Sequence, residues 1–140
     1  MADYSTICKR LKKLNIQLPE NPGEDLVVAI DSTGMKVTNR GEWTRHKWKT
    51  RKGWIKIHIA VDTRTKKLLA LKVTDEQVGD GKMLKPLIEQ VKDRGGKISK
   101  VYGDGGYDSR ENFNYLSDND IEPVIKTRRD ASTQAKGFTF

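Results

Sequence analysis

Leu26-Val27-Val28-Ala29-Ile30 is an unbroken apolar run of strand length. Successive residues of a strand point to opposite faces, so such a run suits a strand covered on both sides within a layered α/β sheet. The run meets Asp31-Ser32-Thr33-Gly34, which reads as a polar turn. Later segments extend the sheet. Trp54 to Val61 and Leu68 to Val73 flank a polar stretch around Asp62 to Lys67, the pattern of a β-hairpin. Gly81 to Arg94 carries Met83, Leu84, Leu87, Ile88 and Val91 at helical spacing, with Pro86 near its start and Gly95-Gly96 as its stop. Ile98 to Tyr102 is a further strand, Ser109 caps a helix through Leu116, and Glu122 to Ile125 is a last strand. Three strands, helix, strand, helix, strand imply a mixed sheet with helices on its faces.

Ahead of this unit, Tyr4 to Leu18 is predicted to be helical. Ile7, Leu11, Leu14 and Ile16 lie near one face, and Lys9, Arg10, Lys12 and Lys13 on the other. Pro19 and Pro22 end it. Residues 1–25 therefore read as a basic helical segment with a linker, and 26–140 as one domain. A chain of 140 residues is long enough for a single domain with a real core.

No apolar run approaches the roughly 20 residues that span a bilayer, and no signal peptide opens the chain, so the expected location is cytoplasmic. Cys8 is the single cysteine, which excludes an internal disulfide. One thiol with His46 and His58 does not make an ordinary zinc site. The formal net charge of +8 points to a polyanionic partner, nucleic acid ahead of membrane.

Two aspartates occupy equivalent places. Asp31 follows the first apolar strand, and Asp104 follows a later one between Gly103 and Gly105. If those strands are parallel neighbours, both carboxylates project at one rim of the sheet, where ligands collect in such folds. Hard oxygen donors there suit Mg²⁺ or Mn²⁺, and the glycines would admit a phosphate backbone. The plainer alternative is that each aspartate caps a turn. Asp108 is a second candidate ligand. Asp75, Glu76 and Asp80 are expected to serve the dipole of the helix they precede, Asp62 to turn the hairpin, and His58 to play a structural role. Tyr107 is expected to pack.

A second constellation lies between the first two strands, in an insertion over residues 35–53. Lys36, Arg40, Arg45, Lys47, Lys49, Arg51 and Lys52, with Lys56 just beyond, face only Glu42 as counter-charge. Trp43 and Trp48 are interleaved with these residues, and Trp54 opens the next strand and is expected in the core. Cations neutralise phosphates, and an indole stacks on an exposed base, so the stretch is a candidate DNA-binding surface. A solvated loop with its tryptophans packed on the sheet is the alternative.

Several stretches, taken in order, resemble one family. Val28-Ala29-Ile30-Asp31-Ser32-Thr33-Gly34-Met35-Lys36 and Gly103-Asp104-Gly105-Gly106-Tyr107-Asp108 look like the first- and second-aspartate motifs of DDE-class insertion-sequence transposases of bacteria and archaea. Trp54 to Asp62 resembles the strand after the first motif, and Tyr4-Ser5-Thr6 with its basic sequel the segment before it. The resemblance implies an α/β, ribonuclease H-like sheet ordered β-β-β-α-β-α-β, incomplete at its C-terminus. It implies Asp31 and Asp104 as catalytic ligands of Mg²⁺ (or Mn²⁺). It also implies DNA ends and target DNA as partners, with a homodimer or multimer assembled on DNA. The third member of the family's acidic triad is a glutamate on a later helix. No residue through Phe140 matches it, since Glu122 comes too early and precedes a strand. Three outcomes stay open: a transposase core, a non-catalytic DNA-binding remnant, or a ribonuclease H-like nuclease.

Overall fold

The computed structural model describes residues 18–20, 22–36 and 54–127. The predicted helix from Tyr4, the insertion carrying Arg40, Arg45, Lys47, Lys49, Arg51 and Lys52, and Trp43 and Trp48 lie outside the described residues. The backbone of Lys36 and Trp54 is described, but their side chains are not.

The strands are β1 (Leu26–Lys36), β2 (Trp54–Asp62), β3 (Leu68–Asp75), β4 (Ile98–Gly103) and β5 (Glu122–Ile125). Their order across the sheet is β3-β2-β1-β4-β5. β1–β2 and β2–β3 are antiparallel, whereas β1–β4 and β4–β5 are parallel. A 3₁₀ turn (Asp80–Met83) leads into helix α1 (Leu84–Lys92), and a second (Gly105–Tyr107) precedes helix α2 (Arg110–Asp118). The parallel pairs are the ones joined through helices, because a parallel return needs a crossover connection.

α1 turns Leu84, Leu87, Ile88 and Val91 inward, and α2 turns Leu116 inward; all five are fully buried. They meet Val28, Ile30, Ala60, Ala70 and Val101 of the sheet. Pro86 sits in the first turn of α1, where its missing N–H would have had no partner. Gly95, at φ +83°, turns the chain out of that helix in the left-handed conformation glycine adopts without strain. Ser109 accepts from Asn112 N at 3.2 Å and caps α2 as predicted.

Two expectations for β1 are corrected. The strand does not end in a turn at Asp31 but runs through Ser32, Thr33 and Gly34 to Lys36. Those polar residues stay extended because β2 supplies the ladder, with Asp31 opposite Ile59, Ser32 opposite His58 and Thr33 opposite Ile57. Cross-strand pairing outweighs local turn preference. Nor is β1 buried on both faces. Val28 and Ile30 are enclosed, while Val27 and Ala29 are half-buried on the face opposite α1 and α2.

Asp62 turns the hairpin as expected. It is 4% exposed. Its carboxylate accepts from Arg64 N at 3.1 Å, Thr65 N at 3.2 Å and Thr65 Oγ1 at 2.5 Å. Burial pushes its pKa up, but these hydrogen bonds and the Arg64 charge outweigh burial and hold it below the ordinary value. A depressed carboxylate contributes stability that is full above its unfolded pKa and lost as pH falls through its folded one. Asp62→Asn is expected to lose about 1–3 kcal/mol near neutral pH. That deficit should shrink below pH ~4 as the wild-type carboxyl protonates, as urea melts of the two proteins across pH 2–7 would record.

Candidate metal centre

The β1–β4 register fixes the main geometry. Ala29 pairs with Tyr102, so Asp31, midway along β1, and Asp104, one residue past β4, each stand two residues beyond the same pair of neighbouring parallel strands. Asp104 follows β4 with extended backbone, φ −82° and ψ −177°. Both residues are exposed. Each ties one carboxylate oxygen to the backbone just ahead. Asp31 Oδ1 accepts from Ser32 N at 2.7 Å, and Asp104 Oδ1 from Gly106 N at 2.8 Å. The Oδ2 atom of each makes no hydrogen bond among the described residues.

The turn after Asp104 is locked in place from behind. Asn112, buried on α2, donates from Nδ2 to Gly81 O at 3.0 Å and to Tyr107 O at 2.9 Å. The two 3₁₀ turns approach so closely that a Cβ on Gly81 would lie 3.1 Å from the Gly106 carbonyl oxygen. One on Gly106 would lie 3.0 Å from Asp104 Oδ1 and 3.5 Å from Asp80 Oδ2.

Asp80 is therefore part of the site, whereas the sequence suggested only a helix-dipole role. Its Oδ1 accepts from Lys56 Nζ at 3.0 Å. Lys56 also donates to Val78 O at 3.2 Å. Burial raises the Asp80 pKa, but hydrogen bonding from Lys56 and Ser32 and the charges of Lys56 and His58 outweigh it and hold the carboxyl low. His58 is 0% exposed on the helix-covered face of β2. Its Nε2 meets Thr74 Oγ1 at 2.9 Å, and its Nδ1 lies 3.9 Å from Asp80 Oδ1 with no hydrogen-bond partner. Burial lowers its pKa, and Lys56 adds to that against the pull of Asp80, so the imidazole is neutral at neutral pH.

Tyr107 packs as predicted, 1% exposed, and it registers the convergence of charge. Burial raises its pKa most, and Asp80, Asp31 and Asp104 each raise it further. Three carboxylates from three separate segments thus act on one buried hydroxyl. That hydroxyl lies beside Ser32 but meets no partner in hydrogen-bonding geometry. A groove of about 630 Å³ is bounded by Lys56, Asp80, Gly106, Asp108, Ser109 and Asn112, and neither Asp31 nor Asp104 lines it.

Asp31 and Asp104 offer hard oxygen donors with one free atom each, which fits a Mg²⁺ or Mn²⁺ ion that keeps most of its waters. Among the described residues no three His, Cys, Asp or Glu side chains are grouped to hold an ion unaided. Asp108 lines the groove and is not gathered into such a group. Signals for the missed residues were present: His58 interrupts an apolar strand, and Asn112 shares the buried stripe of α2 with Leu116. Asp80 carried no comparable signal.

A mixed five-stranded sheet ordered β3-β2-β1-β4-β5 and covered by two helices defines an α/β protein of ribonuclease H-like fold. A chain of the simian T-cell lymphotropic virus intasome, solved in complex with the PP2A regulatory subunit B56 gamma, has a similar fold. The TM-score is 0.51 at 14% identity, over 92% of this chain and 45% of that one. This chain thus spans less than half the length of that structural relative. The family model described as "Transposase DDE domain" matches residues 22–139, and a second model of the same description matches residues 1–40. The chain belongs to the DDE transposase domain family. No helix among the described residues is long and apolar enough to cross a membrane.

Asn112→Ala is expected to leave two backbone carbonyls without their donor and to lose about 1–3 kcal/mol of stability. Chemical denaturation measures the loss, and an unchanged midpoint would contradict the clamp.

Proposed function

We propose that this chain is the catalytic core of a DNA transposase, in which Asp31 and Asp104 hold divalent ions for phosphodiester cleavage and strand transfer. The carrying observation is their matched offset beyond the Ala29–Tyr102 pair, each with one oxygen tied back and the other free. Family membership supports the reaction class.

When bound, Mg²⁺ or Mn²⁺ would activate the attacking oxygen and steady the leaving one in an in-line displacement. The protein's part is to hold and orient. Asp31 extends from a ladder paired on both sides, and Asp104 from a turn clamped by Asn112. Gly106 leaves room beside Asp104 that a side chain would fill. Lys36, Arg40, Arg45, Lys47, Lys49, Arg51 and Lys52 would neutralise the phosphates of transposon-end and target DNA, which predicts salt-sensitive binding. A DNA-bound dimer or multimer, a cytoplasmic location, and a division into an N-terminal segment at 1–25 and a catalytic domain from 26 belong to the same proposal.

The family resemblance also implies a glutamate on a later helix as third ligand, and the test therefore uses a chain continued through that helix. Such a protein is expected to nick supercoiled DNA with Mg²⁺ or Mn²⁺. Asp31→Asn and Asp104→Asn should each reduce nicking by at least about a hundredfold, since misplacing the reacting groups alone costs that much. Undiminished nicking by both variants would refute the assignment.

A further inference from the structure

We infer that Asp80 has two rival partners, Lys56 and His58, and that a proton on His58 draws Asp80 to the ring and releases the Lys56 ammonium into the groove. The ring's hydrogen bonds fix where that proton goes. Thr74 Oγ1 donates its hydrogen to Asp75 O at 3.1 Å. In its 2.9 Å contact with His58 Nε2 it therefore accepts. Nε2 carries the hydrogen of the neutral ring, and Nδ1 is bare. That bare nitrogen is buried, has no hydrogen-bond partner, and lies 3.9 Å from Asp80 Oδ1. A lone pair facing a carboxylate gives no attraction, whereas a proton on Nδ1 turns the same contact into an ion pair.

Burial decides which cation keeps the carboxylate. The His58 side chain is 0% exposed, against 27% for Lys56. A buried imidazolium has no water to solvate it, whereas the Lys56 ammonium lines an open groove and can be hydrated there. While the ring is neutral, Lys56 holds Asp80 Oδ1 at 3.0 Å and Val78 O at 3.2 Å. Two cations at one oxygen repel, so a charged His58 displaces the one that water can take back. The other neighbours do not compete. Ser32 of β1 and Thr74 of β3 are uncharged, and Lys72, opposite His58 on β3, is exposed. The buried residues of α1 are Leu84, Leu87, Ile88 and Val91. Burial first, with the Lys56 charge, holds the ring's pKa below its ordinary value against the pull of Asp80. Asp80 is itself held below its ordinary value, so it is still charged when the ring protonates. Lys56 is therefore latched at neutral pH and released in acid, with no metal needed at Asp31 or Asp104.

The test is NMR on the wild-type chain, titrated from neutral pH into the acid range. Imidazole nitrogen spectra at neutral pH should show the Nε2–H form of His58. On acidification the Lys56 side-chain nitrogen should shift with the same midpoint as the ring, as it leaves Asp80. Lys56→Met keeps the stem and removes the charge, and should raise the proton affinity of His58 about tenfold. Asp80→Asn should lower it about tenfold. A Nδ1–H ring at neutral pH would overturn the inference. So would a Lys56 signal that stays put while His58 titrates, or a ring that stays neutral until acid unfolds the chain. A His58 midpoint unmoved in a folded Lys56→Met would overturn it as well. If a variant does not fold, the two wild-type signals decide alone.

Discussion

Parallel pairing of β1 with β4 is the constraint on which the rest of the molecule depends. Val28 and Val101 are directly paired and fully buried, so this register is set where the core is densest. A slip by one residue would turn Val28 and Ile30 out of the core and bring Val27 and Ala29 in, replacing Ile30 by the much smaller Ala29. The same slip would part Asp31 from Asp104. Stability and the placement of the two carboxylates are thus set by one alignment, and α1 and α2 keep that alignment in place by covering the buried face.

Around the site, charge is balanced locally. Asp80, Asp31 and Asp104 each raise the pKa of the buried Tyr107 hydroxyl. The molecule answers with Lys56 on Asp80 and with backbone N–H groups on the other two. Asp80 is paired with a fixed cation, whereas Asp31 and Asp104 each keep one carboxylate oxygen without a hydrogen bond among the described residues. That division separates a carboxylate that holds structure from two that can still take a cation.

Much of this was legible in the residues. Apolar runs, the hairpin turn at Asp62, the Ser109 cap and the stop at Gly95 marked elements where local chemistry and tertiary structure agree. The likeness of Asp31 and Asp104 could be read because each directly follows an apolar run of the sequence. The length of β1 could not. Ser32, Thr33 and Gly34 favour a turn by themselves, and only the partner strand β2 makes them extended. Asp80 escaped for a related reason. Its partner Lys56 lies 24 residues away, and nothing near it in the chain hints at it. Residues that act through long-range contacts leave no local pattern, whereas capping and periodicity do.

In the proposed site Asp31 and Asp104 grip the same ion. A double-mutant cycle on Mn²⁺ affinity, measured by calorimetry on wild type, Asp31→Asn, Asp104→Asn and the double variant, tests it most directly. A shared ion predicts strong coupling, with either single substitution removing nearly all the affinity that the pair removes. Losses that simply add, or binding indifferent to both residues, would mean the two carboxylates do not share an ion.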